Sequence, residues 1–401
     1  MLVRLSLVVL SLFAFASGAT GVAGGARVAD APRDGALRVF VGTYTRGTSK
    51  GIYRLDLDAR TGQLSTPVLA AETPNPSFLA AHPGKPWLYA ANENGSTATG
   101  PNGETGGGIS AFAINADGTL AALNQQWSGG RGPAYVALDR TGSHVLAANY
   151  GSGSIASIRI EADGRLGALT SVIQHEGSSV HPQRQQGPHA HSVIVEPANR
   201  FAVAADLGID RLMIYRFNAN ANAASGVLAA NDPPSAAAAP GSGPRHLAFS
   251  PDGRSLYVTN EMKSSLSVFT WDKARGVATH VQTLSTLPEG FSGTNSAAEV
   301  QVHPSGKFVY SSNRGHDSIA IFARDTKSGQ LRPVGHQPTG GRRPRHFGMD
   351  RGGRLLLAAN QETGSIVAFR IDARTGRLTP TGSEVALETP VCIRFVEDTS
   401  R

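Results

Sequence analysis

Between residues 78 and 361 the chain repeats one pattern six times: an apolar run, a tight polar turn, and a second apolar run ending in Asn or Asp. The copies read FLAAHPGKPWLYAANE from Phe78, YVALDRTGSHVLAANY from Tyr135 and SVIVEPANRFAVAADL from Ser192. They continue as HLAFSPDGRSLYVTNE from His246, EVQVHPSGKFVYSSNR from Glu299 and HFGMDRGGRLLLAANQ from His346. Short apolar runs bounded by Pro, Gly and Asp read as strands joined by hairpin turns. The second run ends at Asn92, Asn149, Asp206, Asn260, Asn313 and Asn360, at intervals of 57, 57, 54, 53 and 47 residues. An internal period of that size marks a repeat architecture.

A second marker gives a different count. A turn rich in Asp and Gly, usually followed by Leu, recurs as DARTGQL (58–64), NADGTL (115–120), EADGRL (161–166), NAASGVL (222–228), DKARGVA (272–278), DTKSGQL (325–331) and DARTGRL (372–378). That makes seven copies against six. The extra one follows the segment 38–58, which lacks a first strand, while TPVCIRFV (389–396) is a first strand lacking the rest. Four strands with their turns fill about 40–50 residues, one propeller blade. Such a sheet is unstable alone and must stack on neighbours, and an unclosed ring exposes its edges. Pairing the C-terminal strand with the N-terminal three completes a seventh blade. The expected fold is therefore all-β: a seven-bladed β-propeller over 37–396, closed by the C-terminal innermost strand, with 397–401 as a tail. Cys392 falls in an innermost strand and reads as a small buried apolar residue.

Composition agrees with this picture. Gly accounts for 47 of 401 residues, well above the usual ~7%, as a turn-rich β protein requires. Apolar residues make up 40% and charged ones 17%, which argues against intrinsic disorder. A single cysteine rules out a disulfide framework and a Cys-based zinc site. The net charge is +7, but its densest basic cluster is only Arg342, Arg343 and Arg345. Spread charge of this kind argues against a nucleic-acid face and fits a pocket for an anionic small molecule. At the N-terminus, Arg4 precedes an apolar stretch, Leu5 to Ala16, and small residues follow. This is the layout of a secretory signal peptide over 1–18, with 19–36 as a flexible lead-in and a periplasmic or secreted destination. No later segment reaches 18 apolar residues, so no membrane contact is expected after cleavage.

The repeats can be aligned against each other. Five residues before the P-x-G-type turn, the start of the innermost strand holds Ser77, Ala134, His191, Arg245, Ala298 and Arg345. The next position holds Phe78, Tyr135, Ser192, His246, Glu299 and His346. Innermost strands line the central channel, so these positions ring one mouth of it. A second ring follows the Asn/Asp: Glu93, Tyr150, Leu207, Glu261, Arg314 and Gln361. Antiparallel pairing brings it to the same mouth. Converging Arg, His and Glu in a cleft is the layout of a polar-ligand site; solvated turns are the plain alternative. The recurrent Asn/Asp reads as a structural cap. His189, His191, His246 and His346 are metal-ligand types, but no Asp/Glu–His spacing supports a metal site.

These residues resemble a known family. GPHAHSV (187–193), GPRHLAF (243–249), TNE (259–261), SNRGHDSIAIF (312–322) and PRHF (344–347) are similar to motifs of the seven-bladed lactonase family. It includes propeller-type 6-phosphogluconolactonases and the fungal 3-carboxy-cis,cis-muconate lactonizing enzyme, and the resemblance covers 37–396. It implies enzyme chemistry on a lactone or its open acid, with no metal or organic cofactor. The family's His, Arg and Glu correspond to His191, Arg245 and Glu261, with His189 the near alternative because of the HAH doublet. His191 is then the general acid–base, oriented by or sharing the role with Glu261, and Arg245 the group that stabilises an oxyanion or clamps a carboxylate. His189, His246, Glu299, Arg314, Arg345 and His346 are the expected substrate-binding residues. The expected partner is a small anionic lactone or sugar acid, with the chain acting as a monomer. The leader places it where a phosphorylated intermediate is not expected. Fold alone does not decide function. A non-catalytic extracytoplasmic propeller that binds a small anion or a protein partner is the alternative. A haem-carrying propeller is disfavoured by the missing Cys-x-x-Cys-His.

Overall fold

The second strand of each repeat shows no polar alternation because both of its faces are covered. The structure, a computed structural model, describes residues 35–94, 98–221 and 226–396. The expected signal peptide, nearly all of the lead-in, the tail, and part of the NAASGVL turn lie outside the described residues. Among the described residues the chain forms twenty-eight strands in seven antiparallel four-stranded sheets, and no helix. Six blades span 76–127, 133–174, 190–237, 244–285, 296–338 and 344–386. The seventh joins 36–72 to 390–396.

First strands touch first strands all the way round, and the strand Pro390–Val396 touches both Pro344–Met349 and Pro76–Ala81, so the ring is closed. Second strands such as Leu355–Asn360 and His144–Asn149 are buried at every position. Fourth strands such as Leu166–Gln174 sit at the rim, where exposed positions interrupt buried ones. Burial thus grades from the axis outward, as a stack of twisted sheets requires.

The seam explains the unequal marker counts. Pro390–Val396 pairs antiparallel with Ala36–Thr43, placing Val41 opposite Ile393 and Val39 opposite Phe395. Val39, Val41 and Ile393 then join one core cluster with Leu355, Leu357 and Ile366 of the preceding blade. Cys392 is fully buried, and the Leu79 amide donates to its Sγ at 3.3 Å. Gly42 lies so close to the Pro76 carbonyl that a Cβ there would overlap it.

The recurrent Asn/Asp anchors five of the six second strands to the connection between blades, while Asn260 binds the third strand of its own blade. Asn149 Nδ2 donates to the Ser128 carbonyl at 2.9 Å and Asn313 Nδ2 to the Thr286 carbonyl at 2.7 Å. Asn260 Nδ2 donates to Ser265 and Ser267 at 3.0 and 2.8 Å. Asp206 differs, accepting from the backbone amides of His189 and Gly208 at 2.7 and 2.9 Å. The mouth of the channel is thereby held by side chains on the second strands.

Candidate functional site at the channel mouth

Every innermost strand slips register where it starts. The irregularity falls between Pro76 and Phe78, Pro133 and Tyr135, Ala190 and Ser192, Pro244 and Leu247, Ala297 and Val300, and Pro344 and His346. A bulge leaves a residue unpaired and re-aims its side chain. The residues freed in this way include His191, Arg245 and Arg345, the positions that the repeat alignment selects. Gly243, before Pro244, and Arg343, before Pro344, take left-handed φ values of 64° and 56°.

Glu261 lies at the centre. Arg245 Nε and Arg314 Nη2 each approach its Oε2 at 3.0 Å, and Arg184 Nη2 donates to its Oε1 at 3.0 Å. Burial pushes this carboxyl up, but Arg314, Arg245 and the other neighbouring cations outweigh it and hold Glu261 well below the carboxylate range. Three guanidinium groups on one carboxylate leave the site net positive.

Beneath this cluster the second position of each repeat forms a floor. Phe78 stacks on Tyr135 at 4.0 Å between ring centroids and meets His246 and His346 edge-on at 5.5 and 5.3 Å. Ile393 N–H donates to His346 Nδ1 at 3.1 Å, so the ring proton sits on Nε2, facing Glu299 Oε2 at 3.3 Å. Arg245 Nη1 donates to His246 Nε2 at 3.1 Å, so His246 donates from Nδ1 to the same Glu299 oxygen at 2.7 Å. Burial, and then neighbouring Arg charge, presses both imidazoles well below their ordinary range and keeps them neutral. Burial also pushes the Glu299 carboxyl up, to about 8. His246, Glu299 and His346 are thus bonded to one another and to Arg245 and lie below the mouth.

The two histidines of the HAH doublet part company. His189 stays at the rim, half-buried, with Nδ1 bonded to the Tyr150 carbonyl at 2.9 Å and its ring stacked on that of Tyr150. His191 points inward between Tyr150 and His246, and its buried Nδ1 has no hydrogen-bond partner among the described residues. Burial and Arg245 press His191 well below 6.5. No hydrogen bond or ion pair joins it to Glu261, whose two oxygens are taken by arginines. Arg345 spans the far side, its guanidinium 5.4 Å from the centroid of Tyr44, with no carboxylate within 4 Å among the described residues. The Tyr44 hydroxyl donates to Glu93 Oε2 at 2.7 Å, and burial pushes that phenol up to about 12.

Two members of this constellation escape the sequence reading. Tyr44 follows Thr43, which takes the place of the Asn in the seventh blade; extending the second ring across the seam locates it. Arg184 sits in the connection 175–189, the longest between blades, and that extra length is its signal. The connection is pinned by Gln185, fully buried, whose Nε2 donates to the Leu207 carbonyl at 2.8 Å. Gly208 allows this approach, since a Cβ there would overlap the Gly187 carbonyl.

The family described as lactonase, 7-bladed beta-propeller, matches residues 38–395. A 6-phosphogluconolactonase of Bacillus subtilis is 36% identical over 358 residues, covering 89% of this chain and 97% of that protein. A 6-phosphogluconolactonase of Formosa agariphila is 31% identical over 79% of this chain and 88% of its own length. Among solved structures, the periplasmic gluconolactonase of Pseudomonas aeruginosa superposes with a TM-score of 0.83 at 35% identity, covering 90% of this chain and 99% of that one. The protein described here belongs to the seven-bladed β-propeller lactonase family.

Proposed function

We propose that this protein hydrolyses a sugar-acid lactone at the channel mouth, outside the cytoplasm, with His191, Arg245 and Glu261 as the central residues. The observation that carries the reading is His191: a buried, neutral imidazole with an unpartnered Nδ1, next to guanidinium groups fixed by a carboxylate. A neutral imidazole accepts a proton. Water bonds to the lactone carbonyl carbon as His191 takes its proton, and the carbonyl electron pair moves onto oxygen. Arg245 and Arg345 hold that oxyanion. Collapse breaks the ring C–O bond, and His191 returns the proton to the departing alkoxide, leaving the open hydroxy acid. Glu261 keeps Arg245 and Arg314 aimed, while His246, Glu299 and His346 act from below through Arg245. Arg314, Arg345 and His189 bound the space for the polar part of the substrate. The names of the relatives support a sugar-acid lactone, and the periplasmic neighbour together with the N-terminal apolar stretch supports the location.

Acid release from δ-gluconolactone and its 6-phosphate, followed by pH-stat, tests the reading. Alanine at His191, Arg245 or Glu261 should lower turnover at least ~100-fold, the typical contribution of one acid–base or oxyanion group. Full activity in all three variants removes this site. Acid release no faster than the blank with wild-type protein leaves anion binding without turnover.

A further inference from the structure

The three arginines on Glu261 are not equivalent. The side chains of Arg245 and Arg314 are 2% and 6% exposed, whereas that of Arg184 is 41% exposed. Arg245 and Arg314 extend from blade strands and are tied further to the carbonyls of Ala298 and Ala297, at 2.8 and 3.2 Å. Arg184 reaches in from an inter-blade connection, and among the described residues its guanidinium otherwise donates only to the Tyr150 hydroxyl, at 3.0 Å. Arg184 and Glu261 both line a cleft of about 420 Å³ beside the mouth, between connections 175–189, 238–243 and 286–295. That volume is in the range of small-molecule sites. Lys263 also lines it and has no ion pair among the described residues. Two cationic side chains thus line the cleft, and one of them, Arg184, is already shared with the central carboxylate.

We infer that Arg184 is a positioning residue that couples binding of a remote anionic group on the substrate to activation of the central carboxylate. An anion in the cleft, held by Arg184 and Lys263, draws Arg184 off Glu261 Oε1. Glu261 then keeps Arg245 and Arg314 on Oε2, while Oε1 becomes free to accept a hydrogen bond from the attacking water or from protonated His191. The inference rests on the lactonase reading of this site. The charged and titratable groups facing Glu261 are Arg245, Arg314, Arg184, His191 and Arg345, so Arg184 is the one member whose withdrawal leaves the buried set intact. Binding energy from a remote group then appears in turnover and not in affinity alone.

The test compares δ-gluconolactone with its 6-phosphate in wild type, Arg184→Gln, Arg184→Lys and Glu261→Gln. In wild type the phosphate should raise kcat about tenfold, inside the ~5–150-fold range of such couplings. Inorganic phosphate added with plain δ-gluconolactone should raise kcat saturably above the buffer-catalysed blank. Arg184→Gln should abolish both effects, and Arg184→Lys should restore part of each; thermal melting checks that the variants fold. A phosphate advantage confined to KM, simple competitive inhibition by inorganic phosphate, or an unchanged kcat ratio in Arg184→Gln each overturns the inference. Glu261→Gln separates the two claims. If it is inactive while Arg184→Gln keeps the kcat ratio, only the coupling falls. If it hydrolyses both lactones at wild-type rates, Glu261 is not the group that Arg184 restrains and the coupling falls, while the lactonase reading still stands or falls on His191 and Arg245.

Discussion

His191 and His189 are two residues apart, of the same type, and chemically different. A bulge turns His191 into a closed space, where the charged form loses its hydration and faces Arg245. Its partner at the rim keeps a backbone bond and a stacking neighbour. The sign of the His191 shift sets the pH dependence. The cationic imidazole is disfavoured, so the neutral base persists as pH falls through the usual ~6.5 of histidine. The kcat/KM for δ-gluconolactone should stay flat from pH 7 through 6.5 and decline only at more acid pH. An acid limb at or above 6.5 contradicts the assignment. Asp206 makes a related point. Where five repeats carry Asn, this Asp accepts from His175 Nδ1 at 2.6 Å, and His175 Nε2 bonds the Tyr215 hydroxyl at 2.8 Å. Its other oxygen accepts the His189 amide, so a fully buried polar chain fixes the HAH segment from behind.

Strands carry the same logic between blades. Tyr89, Tyr257 and Tyr310 occupy equivalent second-strand positions, and each hydroxyl donates to a Gly carbonyl in the next blade's Asp–Gly turn: Gly164, Gly329 and Gly376, at 3.0, 2.8 and 2.8 Å. The two sequence markers, apparently separate turn signals, are thus joined by a hydrogen bond across each of these interfaces. Tyr310→Phe leaves the Gly376 carbonyl without that donor and should cost about 1–2 kcal/mol of stability. Denaturant unfolding should show a lower midpoint while kcat on δ-gluconolactone is unchanged. An unchanged midpoint would mean that the tie contributes nothing. At the starts of innermost strands, Asn75, Arg343 and Thr389 adopt φ of 41°, 56° and 47° immediately before proline. Left-handed backbone at a β-branched residue is strained, and such strain collects near functional sites.

Closure of the ring couples the two ends of the chain to the site. Thr389 accepts the Tyr44 amide at 3.2 Å through its carbonyl, and Tyr44 faces Arg345 across the mouth. Removing residues 390–401 strips the seventh blade of its inner strand and leaves Val39, Val41 and Phe40 uncovered, all fully buried in the intact protein. The truncated chain should lose cooperative thermal unfolding by circular dichroism; a melt like that of the full chain would show that the seam is dispensable. Charge is also arranged on this scale. Arg342 and Arg343 at the rim are exposed and lie 4.0 and 3.3 Å from Glu362, whereas Arg184, Arg245, Arg314 and Arg345 gather at the mouth. The mild positive excess of the chain is therefore focused where an anion would enter.

Blade number, strand order and the closing seam were legible in the residues themselves, because apolar periodicity and turn chemistry are local and recur seven times. Matched Arg–His pairs at 245–246 and 345–346 were legible for the same reason: equivalent positions in a repeat point to equivalent places. Three things were decided only by the folded ring. Bulges set which of two adjacent positions faces the channel mouth and which becomes floor, a register effect that no composition encodes. Arg184 reaches the mouth from a long connection, where the repeat gives no position to compare, and Tyr44 takes its place in the second ring only once the seam joins the two ends of the chain. The charge states of His191, Glu261 and Glu299 depend on burial and on cations far away in the chain, so their chemistry exists only once the ring has closed around them.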